Sequence, residues 1–183
     1  TIYHAIVNEH PIQLKYRSFK ARSANNFIFY PYLLKEYRNR WFVYGVRGNG
    51  RILQNLALDR IQSLEVLPQE HYIKNTFFDP NTFFDDLVGV TKNSGSVAEK
   101  VGFKVAAAEA PYIITKPIHR SQQVVERLAD GSVILEIEVV INHELEQVFF
   151  GYAEGIHVLY PKTLVELMGR KLKKAAEQYT HSK

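Results

Sequence analysis

The chain has 183 residues, a formal net charge of +4 and no cysteine, so it has neither a disulfide framework nor a thiolate-bound metal. No apolar run approaches the roughly 20 residues of a membrane span and no signal peptide is visible, which leads us to expect a cytoplasmic protein. The length suits one large or two small domains, and the chain opens on Thr1 without an initiator methionine, as a piece of a longer protein would.

In chain order, "TIYHAIVNEH" sets Ile2, Ala5 and Ile6 at helical spacing behind a capping Thr1, and Pro11 stops the helix. "PIQLKYRSF" then alternates. Ile12, Leu14, Tyr16 and Ser18 share one strand face, while Gln13, Lys15, Arg17 and Phe19 share a polar, basic one. "FIFYPYLLKEY" is β-rich, with Pro31 forcing an edge or a bulge. "RWFVYGV" reads as a strand apolar on both faces, which predicts cover on both sides and a core position for Trp41. "RGNGR" is a hairpin signal, since Gly48, Asn49 and Gly50 tolerate positive φ. "ILQNLALDRIQSL" continues the strands, with Arg60 in a strand reading "LDRI". Short strands with tight turns suggest a small barrel with a leading helix over residues 1–70.

From 71 to 98 the pattern weakens to a linker. It repeats an Asn-Thr-Phe-Phe-Asp pentad, read as coincidental, and ends in the polar breaker "TKNSGS". Residues 99–183 are regular. A strand, a short helix around Pro111, two strands joined at "ADG", a helix capped by Asn142, and a strand "GIHVLYP" lead to a closing helix after Pro161. Leu164, Leu167, Met168, Leu172, Ala175, Ala176 and Tyr179 form that helix's apolar stripe. The order is that of the split, ferredoxin-like βαββαβ unit with an extra C-terminal helix, so the fold class is α+β.

Up to Glu70 there are ten basic and five acidic residues; beyond it, thirteen and fourteen. The excess positive charge thus lies in the first part, where it attracts polyanions. Enzyme chemistry is not expected. No phosphate-binding glycine loop, HExxH pair or GxSxG elbow occurs, and the seven histidines form no metal-ligand spacing. Glu136, Glu138, Glu144 and Glu146 read as solvated faces of a strand and a helix. No cofactor or metal is implied.

The series "IQLKYRSF", "FYPYLL", "RWFVYGV" and "GRILQNLALDRIQSL" resembles the WYL domain family, the tripeptide here being Trp41-Phe42-Val43. "ELEQVFFGYAEGIHVLYPKTL" resembles the extension that follows this domain. The resemblance implies an Sm/SH3-like barrel and then the ferredoxin-like domain. It also implies a homodimeric bacterial transcriptional regulator whose helix-turn-helix lies before Thr1, and a barrel that senses a ligand, single-stranded nucleic acid leading. A small anionic ligand such as a nucleotide, or a pure oligomerisation role, are the alternatives. Arg51 and Arg60 are the foremost expected contacts; Tyr16 and Ser18 offer hydroxyls, Arg40 a rim charge, and His119 a contact from the domain junction.

Overall fold

The computed structural model describes residues 1–48, 50 and 52–180. It is α+β, with two antiparallel sheets and four α-helices among the described residues. No helix among them is long and apolar enough to cross a membrane. The chain divides into two compact units, Thr1–Phe84 and Asp85–Lys183. The weakly patterned stretch 71–98 is shared between the two.

The first unit opens with α1 (Ile2–Val7), whose buried Ile2 and Ala5 face the sheet. Strands β1 (Ile12–Tyr16), β2 (Asn25–Tyr37), β3 (Arg40–Arg47), β4 (Leu53–Ala57) and β5 (Ile61–Val66) follow, in the order β4-β3-β2-β1-β5. β2 lies inside the sheet, so Pro31 is accommodated by a register shift between Pro31 and Leu33. Gly45 sits opposite Pro31 in β3. A Cβ there would stand 2.1 Å from the Tyr30 carbonyl oxygen, so no other residue fits without moving backbone.

β4 and β5 are opposite edges of this sheet, yet only the single 3-10 turn Leu58–Arg60 joins them. Three residues reach at most about 10 Å. The sheet therefore rolls until its edges approach, although β4 and β5 do not pair among the described residues. Ile12, Leu14, Phe27, Phe29, Val43 and Leu56 fill one side with α1.

The other side is covered by the repeated pentad. Phe78, Phe83 and Phe84 pack around Tyr44, and Phe77 stacks on Tyr32 with ring centroids 6.1 Å apart. Tyr72 donates a hydrogen bond to the Pro31 carbonyl. The phenylalanines of the pentad are therefore packing material for the second face of β2 and β3. Burial pushes the Tyr32 hydroxyl up to about 12.

Three expectations are corrected here. Trp41 is 51% exposed, because both faces of β3 are covered only from Val43 to Val46. Strand β1 stops at Tyr16, so Ser18 and Phe19 stand in a loop. Arg60 lies in the 3-10 turn and not in a strand.

The second unit carries β6 (Glu99–Val105), α2 (Ala110–Thr115), β7 (Gln123–Arg127), β8 (Val133–Val139), α3 (His143–Gly151), β9 (Ile156–Tyr160) and α4 (Lys162–Thr180), with sheet order β7-β8-β6-β9. Val133, Leu135, Ile137 and Val139 alternate into a core with Phe103, Phe149 and Leu164. Asn142 caps α3, its Oδ1 accepting the Leu145 N–H at 2.9 Å.

The expected solvated carboxylates of α3 are instead buried. Glu144 Oε1 accepts the Val90 N–H at 3.0 Å and the Thr91 hydroxyl at 2.8 Å, and Glu146 pairs with Lys171. With Asn142 Nδ2 donating to the carbonyls of Val88 and Thr91 (2.8 and 3.0 Å), Glu144 and Asn142 clasp the strap 86–92 onto the start of α3. The stripe of α4 is used only at its N-terminal half: Leu164 and Met168 are buried, Leu172 and Tyr179 exposed.

Candidate ligand-binding cleft

The basic excess of the first unit converges where β1 ends. A register shift between Lys15 and Tyr16 breaks the ladder with β5, and the Arg17 N–H turns to the Arg60 carbonyl at 3.2 Å. The loop beyond is shaped by its own bonds: the Ala21 N–H reaches the Ser18 carbonyl at 3.0 Å, and Arg17 Nε the Ala21 carbonyl at 3.4 Å. Facing it is the turn that joins β4 to β5. Between them lies a cleft of about 310 Å³, lined by Arg17, Ser18, Phe19, Asp59, Arg60, Ile61 and Gln62.

Arg60 is its centre. Its guanidinium lies 4.2 Å from the centroid of the Phe19 ring, which is 74% exposed. A guanidinium on a ring face is held flat, with its edge N–H donors aimed sideways. Arg60 Nε is buried with no hydrogen-bond partner among the described residues. A buried donor left unmade costs about 1–3 kcal/mol, and more when charged. The neighbouring acid does not serve: Asp59 Oδ2 pairs with Arg40 Nε at 3.2 Å. The cleft thus offers a flat cation, an exposed ring and the Ser18 hydroxyl, which suits a planar anion.

The expected contacts divide. Ser18 and Arg60 line the cleft, and Arg40 is at its rim through Asp59. Tyr16 turns inward; its ring meets Phe27 edge-on at 6.5 Å and packs on the core. Arg51 lies outside the described residues. His119 belongs to the second unit, where Nδ1 is 2.7 Å from Ser121 Oγ and burial lowers its pKa. Phe19, Arg17 and Gln62 were missed as contacts. The signal for Phe19 was present: it is the one aromatic on the otherwise polar, basic face of "QLKYRSF".

These features define a two-unit α+β protein whose first unit is a rolled sheet bearing a basic, ring-lined cleft. Residues 1–66 match the WYL domain and residues 98–176 the WCX domain. The two matches are consistent with the WYL domain family. No curated protein matches it. Among solved structures it is similar to Proteasome accessory factor B/C (PafBC) of Arthrobacter aurescens, with 17% identity over 97% of this chain and 26% of that one and a TM-score of 0.37. It is also similar to the crystal structure of a CRISPR Cas-related protein, with 13% identity over 98% of this chain and 50% of that one and a TM-score of 0.55. The chain thus spans 26% and 50% of the lengths of these two structures.

Proposed function

We propose that this chain is the ligand-sensing module of a bacterial transcriptional regulator, and that its ligand is single-stranded nucleic acid held in the Arg60 cleft. The observation that carries the reading is Arg60 itself, its guanidinium over the exposed Phe19 ring and its buried Nε without a hydrogen-bond partner among the described residues. Single-strand binders combine a cationic groove with rings on which bases stack, and the cleft has both elements. In this reading Arg51 adds a further cation, the protein is a homodimer, and operator recognition falls to a helix-turn-helix outside this chain. No catalytic step is assigned to it.

The finer fold reading follows the same line. The three-residue 3-10 link between opposite edges of the first sheet supports an Sm/SH3-like barrel. In the second unit the strand-helix-strand-strand-helix-strand order, with sheet order β7-β8-β6-β9, supports a ferredoxin-like domain.

A second reading is a nucleotide or similar small anion in the same cleft. It is favoured by the volume of about 310 Å³, at the lower end of small-molecule sites.

The experiment is fluorescence anisotropy of a labelled oligothymidylate at two salt concentrations. Binding is expected to weaken steeply with salt, as counterion release requires. Arg60→Ala and Arg51→Ala together are expected to weaken it further with little change in melting temperature. A double variant that binds as the parent does rejects this cleft as the site.

A further inference from the structure

The device at Arg60 occurs a second time in this unit. Arg47, exposed at the end of β3, lies with its guanidinium 4.1 Å from the centroid of the Phe27 ring. Phe27 is itself buried, so its ring backs the guanidinium from the protein side, and no side-chain hydrogen bond or ion pair of Arg47 is seen among the described residues. Arg47 has no carboxylate partner among the described residues.

The two devices are joined by contacts. Phe27 meets Tyr16 edge-on at 6.5 Å, Tyr16 is in register with Ile61 of β5, and Ile61 lines the cleft beside Arg60 and Phe19. They are also well separated. The Arg47 guanidinium lies over Phe27, which is in register with Leu14, whereas Arg60 is bonded to Arg17. From Leu14 to Arg17 is about 10 Å at roughly 3.3 Å per residue. Successive phosphates advance by about 3.4 Å along the axis of a stacked strand, so the two arginines stand roughly three nucleotides apart. A cleft of about 310 Å³ does not hold both.

We propose that Arg47, backed by Phe27, is a second phosphate anchor, and that the ligand is a strand of several nucleotides running from the Arg60–Phe19 cleft past Tyr16 to Arg47, not a single nucleotide. This rests on the nucleic-acid reading of the cleft and extends it.

The test titrates the chain with fluorescein-labelled oligothymidylates of increasing length, with thymidine monophosphate as competitor. Affinity is expected to climb with length until both anchors are spanned. Arg47→Ala, with an unchanged melting temperature, is expected to remove that climb and to lower the salt slope by about 0.7, the value of one phosphate contact on a single strand. Competition by the monophosphate should stay as in the parent. Arg47→Lys, which keeps the charge without the flat stack, should fall between. Parental length dependence and salt slope in Arg47→Ala, together with weakened binding in Arg60→Ala, overturn the second anchor and leave the cleft standing. Monophosphate binding as tight as that of the longest oligomer overturns the extended strand in favour of a nucleotide. No binding of either probe by the parent overturns both readings.

Discussion

Asp59 bonds to Arg40 across the turn, Nε to Oδ2 at 3.2 Å, and not to its neighbour Arg60. That choice of partner leaves Arg60 without a counter-ion among the described residues and keeps a carboxylate in the lining of a basic cleft. Asp59→Asn should therefore tighten anion binding, since it removes a repelling charge and releases Arg40. The pair is half-exposed, where such charges contribute about 0.2–1 kcal/mol, so we expect a gain of about 1.5- to 5-fold with little change in melting temperature. Anisotropy with an oligothymidylate reads the gain; a loss of affinity would mean that Asp59 itself contacts the ligand.

Phe19 is the exposed ring of the cleft. Removing it as Phe19→Ala touches no core, and surface changes of this kind stay within about 0.5 kcal/mol of stability. Base stacking is worth roughly 1–3 kcal/mol, so affinity for the oligomer should fall about 5- to 150-fold. Phe19→Trp should restore it. Equal binding by Phe19→Ala would assign the ring to holding Arg60 alone.

Trp41 is the chain's one tryptophan and is 51% exposed. Its emission should be that of a wet indole and be quenched readily by acrylamide in the folded protein. A blue-shifted, protected emission would return Trp41 to a core.

The strap on α3 gives a stability prediction. Asn142→Asp keeps the cap acceptor but loses both donors to the strap, while Asn142→Ala loses the cap as well. The cap alone is worth about 0.5–2 kcal/mol. Leaving buried carbonyls unpaired adds about 1–3 kcal/mol. Urea denaturation should rank the parent above Asn142→Asp and that above Asn142→Ala. Gly89→Ala should also destabilise, since φ is +85° and a Cβ would lie 2.5 Å from Glu144 Cγ.

His119 predicts a pH dependence of the second unit. Burial holds its pKa below the ordinary value, ahead of an opposing bond to the Asp85 backbone and with Arg120 adding to the lowering. Above the unfolded pKa of about 6.5 the ring is neutral in both states and contributes no slope. As pH falls below that value the unfolded chain takes up a proton that the folded one resists, so stability declines until the folded pKa is passed. His119→Gln should flatten the melting temperature between pH 7 and pH 5, relative to the parent, where we expect about a few degrees of decline. Parallel curves would remove His119 from the account.

Much of the second unit was legible because its signals are local. β8 alternates without interruption, Asn142 is a cap by residue type, and Pro161 precedes α4. The depth of Glu144 and Glu146 was not, since their acceptors are met by a strap more than fifty positions away for Glu144 and by a helix for Glu146. In the first unit the β-strands and the hairpin were readable, but Trp41 was not: alternation told which faces were apolar, not how far along β3 the cover extends.

By itself the sequence determined most of the strand and helix pattern and the concentration of positive charge before Glu70, because periodicity, turn chemistry and charge are properties of neighbouring residues, and its motifs carried the resemblance to the WYL domain family. Only the tertiary structure decided which cations are free. Asp59 could have paired with either arginine; the rolling of the sheet brings Arg40 to it and sets Arg60 on Phe19. Likewise Arg47 becomes an anchor only because β2 pairs with β3 and puts Phe27 beneath it. Ion pairing and ring stacking act over a few ångströms, and the chain meets itself at such distances only after it folds.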